Sequence, residues 1–154
     1  QVGNSMPEVG FYHLLHWPLE RALPKLLEKA LERGHRAIVL AGSKERVDDL
    51  NTVLWTYEER AWLPHGAAGD GPPGDQPVYL TAEDENPNGA DVLILTDGAE
   101  TSALGDYSIT CELFDGNDPD AVSAARGRWT GYKEAGHDLT YWQQTARGGW
   151  EKKA

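Results

Sequence analysis

Two kinds of hydrophobic pattern alternate through the first 55 residues, and this alternation restricts the fold more than any other feature. Val9 to Leu15, VGFYHLL, is a short apolar run of strand type. In WPLERALPKLLEKALERG, which follows, Leu19, Leu23, Leu26, Leu27, Ala30 and Leu31 recur at helical spacing and Gly34 supplies a stop. Arg36 to Gly42, RAIVLAG, is a short apolar run of the kind that forms a strand buried on both faces. Ser43 stands where a helix needs an N-cap, and Val47, Leu50, Val53 and Leu54 mark the inner face of a helix reaching about Trp55. Strand, helix, strand, helix predicts a parallel sheet with right-handed crossovers. Pro18 suits a first turn, whereas Pro24 fits less well and suggests a regular helix that begins only there.

Three more strands are expected in PVYLT, DVLILT and YSITCELF, the first two separated by the turn Asn86-Pro87-Asn88-Gly89. Asp118-Pro119 reads as an N-cap and a first helical proline, opening a last helix that reaches about Ala135 and stops at Gly136. The expectation is one α/β domain over residues 6–139, a mostly parallel central sheet flanked by helices. HDLTYWQQTARGGWEKKA shows no clear period, and residues 140–154 are expected to be a partly disordered tail. Gln1 to Ser5 read as residues foreign to a natural start at Met6. No internal repeat is present.

Among 154 residues there is one cysteine, Cys111, in the apolar run SITCELF, so no internal disulfide is expected and a buried, inert thiol is the simpler reading. With no secretory signal pattern and no long apolar run, these features fit a reducing cytoplasm. The formal net charge of −11 argues against gripping a nucleic-acid backbone, because Lys and Arg supply affinity for phosphates. The charge is uneven: from Arg126 onward six cations face three carboxylates. A mildly basic end on an acidic body suits a small acidic partner better than a long polyanion.

An α/β chain with glycine-rich loops invites a nucleotide-binding reading, but the motifs are missing. There is no G-x-x-x-x-G-K-[ST], and the first strand runs into HLLHWP with no glycine for close approach of a pyrophosphate. GAAGDG follows a helix and lacks the helix N-terminus a phosphate would use. The five histidines show no zinc spacing, so no metal or cofactor is expected. His13 reads as a core or edge histidine. His65 is a candidate base with no adjacent nucleophile, and a structural role suits it better. EDEN, Glu83 to Asn86, reads as a solvated turn rather than a cation site.

Two constellations suggest binding. In the last helix Val122, Ala125, Trp129 and Tyr132 make one apolar stripe, flanked by Arg126 and Lys133. Rings beside cations could take an apolar side chain together with a carboxylate, which arginine grips with two parallel hydrogen bonds. On pattern alone the stripe reads better as a core face with solvated cations. Trp55, Trp62, Leu63 and Pro64 cluster at a helix end and at the mouth of a proline-rich loop, where aromatic residues serve either as interface anchors or as cover for a sheet edge.

The chain resembles the chi subunit of bacterial DNA polymerase III, a component of the clamp-loader assembly. The likeness is carried by FYHL (Phe11 to Leu14), Leu54-Trp55, WLPHGAAGDGPPGDQPV (Trp62 to Val78) against F-x-P-H-x-x-A-G-E-G-P-x-G-x-P-V, and RGRWTGYKEAG (Arg126 to Gly136) against R-x-R-Y-x-x-Y-[RK]-x-x-G. It covers most of Val9 to Leu139 and fades in Glu83 to Asn88. The resemblance implies a non-catalytic adaptor with a nucleotide-binding-like fold that lacks the phosphate loop. Its implied partners are the psi subunit, which joins chi to the clamp loader, and the acidic, phenylalanine-ended tail of single-stranded-DNA-binding protein. Nucleic acid is then reached only indirectly. Carried over by position, Arg126, Trp129, Tyr132 and Lys133 form the tail site, with Arg126 holding the terminal carboxylate and Lys133 attracting aspartates. Trp55 and Trp62, with Leu63 and Pro64, form the psi-facing surface, which could also serve another replication or repair partner such as a helicase. Thr130 stands where many relatives carry lysine, and Gly127 and Gly131 each lower helix propensity by roughly 1 kcal/mol. The rival reading is a small nucleotide-dependent or His65-based enzyme. A third is a regulatory module whose partner has no part in replication.

Overall fold

A computed structural model describes residues 8–57, 64–67 and 71–154. In chain order it contains β1 (Glu8–Leu14), α1 (Leu19–Glu32), β2 (Ala37–Leu40), α2 (Lys44–Thr56), β3 (Gly66–Ala67), β4 (Val78–Thr81), β5 (Val92–Leu95), β6 (Ile109–Asp115), α3 (Pro119–Glu134), β7 (Asp138–Gln144) and β8 (Trp150–Lys152). They build one sheet in the order β3-β4-β2-β5-β6-β1-β7-β8, parallel throughout except for β8, which returns antiparallel to β7. The chain is thus a single α/β domain with a mostly parallel sheet and, among the described residues, three α-helices, as expected.

The central strands β2 and β5, AIVL and VLIL, are buried at every position. Their alternating side chains feed two cores. Ala37, Val39, Val92 and Ile94 join the core under α1 and α2, with Leu23, Leu27, Leu50 and Leu54 from the helices. Ile38, Leu40, Leu93 and Leu95 face the other way and pack with Tyr79 and Tyr107. On that second face, nearer the β1 end, α3 covers Val9, Phe11 and Phe114.

Ser43 caps α2 as its sequence predicts, its hydroxyl accepting from the Arg46 N–H at 3.1 Å. Asp118 caps α3 through the Asp120 N–H at 3.0 Å, with Pro119 in the first turn. Gly34 and Gly136, at φ of 80° and 89°, end α1 and α3 in the left-handed conformation glycine allows.

Two expectations are corrected. α1 begins at Leu19, not at Pro24. The Pro18 carbonyl accepts from the N–H groups of both Arg21 and Ala22 at 3.0 Å, which starts the helix. Pro24 sits inside it on the buried face, so apolar packing outweighs the missing backbone bond. The tail expected to be partly disordered instead forms β7 and β8. Leu139 and Tyr141 pack under α3, and Tyr12 stacks on Trp142 at 6.2 Å and meets Trp150 edge-on at 5.0 Å. Strand pairing with β1 supplies what the half-polar sequence DLTYWQQ does not advertise. The two-residue strand β3, beside β4, is also unannounced by the sequence.

Candidate peptide-binding cavity

α3 brings its apolar stripe onto the outer half of the sheet, and a cavity of about 260 Å³ remains between them. Val122, Ala125 and Trp129 form its helix side. Phe11, Phe114 and Tyr141, from the neighbouring strands β1, β6 and β7, form its sheet side. Phe11 is the hinge of this cluster: its ring meets Trp129 edge-on at 5.3 Å and Phe114 at 6.5 Å. Arg126 lines the same cavity and is otherwise exposed on α3. The result is an apolar hole with a guanidinium at its rim, able to take a ring and a carboxylate together.

His13 also lines it and shares a hydrogen bond, through Nδ1, with the Tyr141 hydroxyl. Burial, reinforced by the neighbouring Arg126 charge, holds the His13 imidazole below its ordinary pKa. A neutral His13 leaves Arg126 as the cation of the cavity wall.

Of the four residues expected at this site, Arg126 and Trp129 line the cavity. Tyr132 packs on Phe11 at 5.9 Å from behind, and its hydroxyl donates to Glu112 at 3.0 Å. Lys133 is exposed further along α3, outside the cavity wall. Sequence reasoning missed the sheet side of the cavity, which only strand order assembles. It also missed Glu112 and Arg128. Glu112 is 2% exposed, and Arg128 Nε donates to both its oxygens at 2.8 and 3.0 Å. Burial raises the Glu112 pKa, with Arg128 and the Tyr132 hydroxyl pulling the other way. A lone carboxylate in the apolar run SITCELF was the available signal, since a buried charge needs a partner.

At the other binding candidate, Trp55 is 52% exposed, the one large apolar side chain so exposed among the described residues. Its ring lies 4.4 Å from that of His65, which is buried. This places His65 in a packing role beside Trp55. Pro64 is half-buried; Trp62 and Leu63 lie outside the described residues. Cys111 is buried, and burial pushes its thiol up to about 12, in keeping with an inert thiol.

A larger crevice, about 790 Å³, opens beyond the carboxyl ends of β1 and β6, where parallel α/β sheets usually bind ligands. Here its wall carries Asp97, Asp115, Asp118 and Asp120. Arg46 on the same wall is tied to Glu20 at 3.1 Å and Asp97 at 3.2 Å. At its β1–α1 loop the N–H groups of Leu15, His16 and Trp17 all donate to Oε1 of Gln144, at 3.1, 2.8 and 2.8 Å. These three loop donors are thus already engaged, and the surrounding carboxylates repel a phosphate. No helix among the described residues is long and apolar enough to cross a membrane.

Comparison with known proteins agrees with the sequence resemblance. Residues 6–140 match the family model described as DNA polymerase III chi subunit, HolC. A similar curated protein is the "Probable DNA polymerase III subunit chi" of Rickettsia prowazekii (strain Madrid E), 32% identical over 105 residues, or 66% of this chain. The aligned part spans 64% of that relative's length. With the fold and nearly the whole domain in agreement, the chain belongs to the chi subunit family of DNA polymerase III.

Proposed function

We propose that this protein is a non-catalytic replication adaptor in the cytoplasm. It links the clamp loader, through a psi subunit, to the acidic C-terminal tail of single-stranded-DNA-binding protein. The observation that carries the reading is the cavity under α3, apolar on both sides with Arg126 at its rim. A terminal phenylalanine fills it, its carboxylate meets Arg126, and Lys133 attracts the aspartates that precede it. Only two cations take part, so the affinity depends moderately on salt. The psi-facing surface is built around the exposed Trp55. The rival enzyme reading has less support, because the crevice suited to a nucleotide is acidic and its loop donors are occupied by Gln144.

Calorimetric titration with a nine-residue acidic peptide ending in Asp-Phe carboxylate tests the tail site. Wild type should bind at micromolar Kd, about −8 kcal/mol, and Arg126→Ala should lose that binding. Absence of binding by wild type would reduce the α3 stripe to core packing with solvated charge. Trp55→Ala should weaken capture of a cognate psi subunit without changing the tail titration.

A further inference from the structure

On the face of the sheet opposite α3, α1 and α2 cover the strands from β4 to β6, and the layer then stops. Beyond α1 that face of β1, β7 and β8 shows three aromatic rings, Tyr12, Trp142 and Trp150, the two tryptophans half-buried. The main neighbours of β7 are β1, β8 and, on the other face, α3. Between these rings and α1 runs a groove of about 410 Å³, with Ile109 and Cys111 among its lining residues. Parallel strands are normally covered by helices on both faces, so this half-covered edge lacks one helix.

The charge around the groove limits what completes it. Lys29 on the last turn of α1 and Arg33 at its C-cap, four residues on, line the groove and have no ion-pair partner among the described residues. Lys152 lies opposite Trp142 in the β7–β8 register and so on the same face. Glu8 is the carboxylate that lines the groove, and the β1–β7 register puts Asp138 beside it on the same face, so three cations stand against two carboxylates. On a protein of net charge −11 this is a locally basic, aromatic strip. Its cations are too few to follow a nucleic-acid backbone, but they match the flank of an acidic helix. We infer that the groove between α1 and the Tyr12–Trp142–Trp150 wall docks an amphipathic helix of a partner protein. The helix's apolar stripe packs on the rings and its acidic flank meets Lys29 and Arg33. This site lies on the opposite face of the sheet from the tail cavity and does not depend on it.

The test uses fluorescence anisotropy with the full chain and a labelled 18-residue probe helix carrying a Leu/Phe stripe and glutamate flanks. A second probe has lysine flanks, and a 12-nucleotide oligothymidylate represents nucleic acid. The glutamate probe should bind at least tenfold tighter than the lysine probe. K29E/R33E should reverse that order, Trp142→Ala should weaken the glutamate probe at least tenfold, and Arg126→Ala should leave it unchanged. Equal binding of the two probes would overturn the inference. So would retained affinity in Trp142→Ala, or displacement of the glutamate probe by oligothymidylate.

Discussion

Gln144 concentrates an unusual amount of stability in one oxygen. Its Oε1 is the shared acceptor for three successive N–H groups at the turn into α1, and the side chain is only 2% exposed. Gln144→Leu keeps the volume and removes the acceptor, so it isolates the three hydrogen bonds from any cavity term. At about 1 kcal/mol net each, the gross loss is about 3 kcal/mol. Gln144 Nε2 is itself buried without a partner, and deleting it returns about 1 kcal/mol. The expected net cost is therefore about 2 kcal/mol. With a urea slope of about 2 kcal/mol/M, the unfolding midpoint should fall by about 1 M. Amide exchange at Leu15, His16 and Trp17 should accelerate in step, while exchange within α2 changes only with global stability. A midpoint indistinguishable from wild type would refute the reasoning, because it would mean that water or a shift of the loop satisfies those donors at no cost.

Three further outcomes follow from other sites. Arg128→Met leaves the Glu112 carboxylate buried and unpaired, and should cost about 3 kcal/mol at pH 7 by urea unfolding. Glu112 already has a raised pKa in the fold, so its stabilising share is fully present below its unfolded value and is lost as pH rises through the folded one. The Arg128→Met deficit should therefore shrink toward pH 4, and a deficit independent of pH would contradict the assignment. Cys111 should react with a thiol reagent at pH 8 only after denaturant is added, since its thiol is buried and pushed up to about 12; prompt labelling of native protein would count against its burial. Gly127→Ala and Gly131→Ala, each at a helix position with open space around a new Cβ, should each add about 1 kcal/mol and raise Tm. Unchanged melting would mean that α3 does not limit stability.

The parts of the fold that were legible in the sequence are those whose pattern is local. RAIVLAG and DVLILT announce buried strands because both faces are apolar, and Ser43 and Asp118 announce caps because one oxygen at the right offset suffices. β7 escaped detection because DLTYWQQ puts Leu139 and Tyr141 under α3 while its other face carries Thr140, Trp142 and Gln144, residues whose value appears only against β1. The candidate cavity divides the same way. Its helix side could be read at 3.6-residue spacing, whereas Phe11, Phe114 and Tyr141 meet only because β6, β1 and β7 are neighbours in a sheet order that no short window encodes.

The Glu112 cluster joins these two halves and gives the cavity its shape. Arg128 and Tyr132, four residues apart on α3, both hold the carboxylate of one β6 residue, so the helix is pinned to the sheet at two points. Trp129 lies between them, turned toward Phe11, and Arg126 lies two residues before the first pin. The height of α3 above Phe11 and Phe114 is thus set by a buried ion pair that never touches the cavity. An apolar pair at the same positions could hold the fold equally well. It would not fix the height of the helix by hydrogen bonds of defined length, and in the tail site proposed above Arg126 needs that fixed height if it is to meet the carboxylate of a ring seated below it.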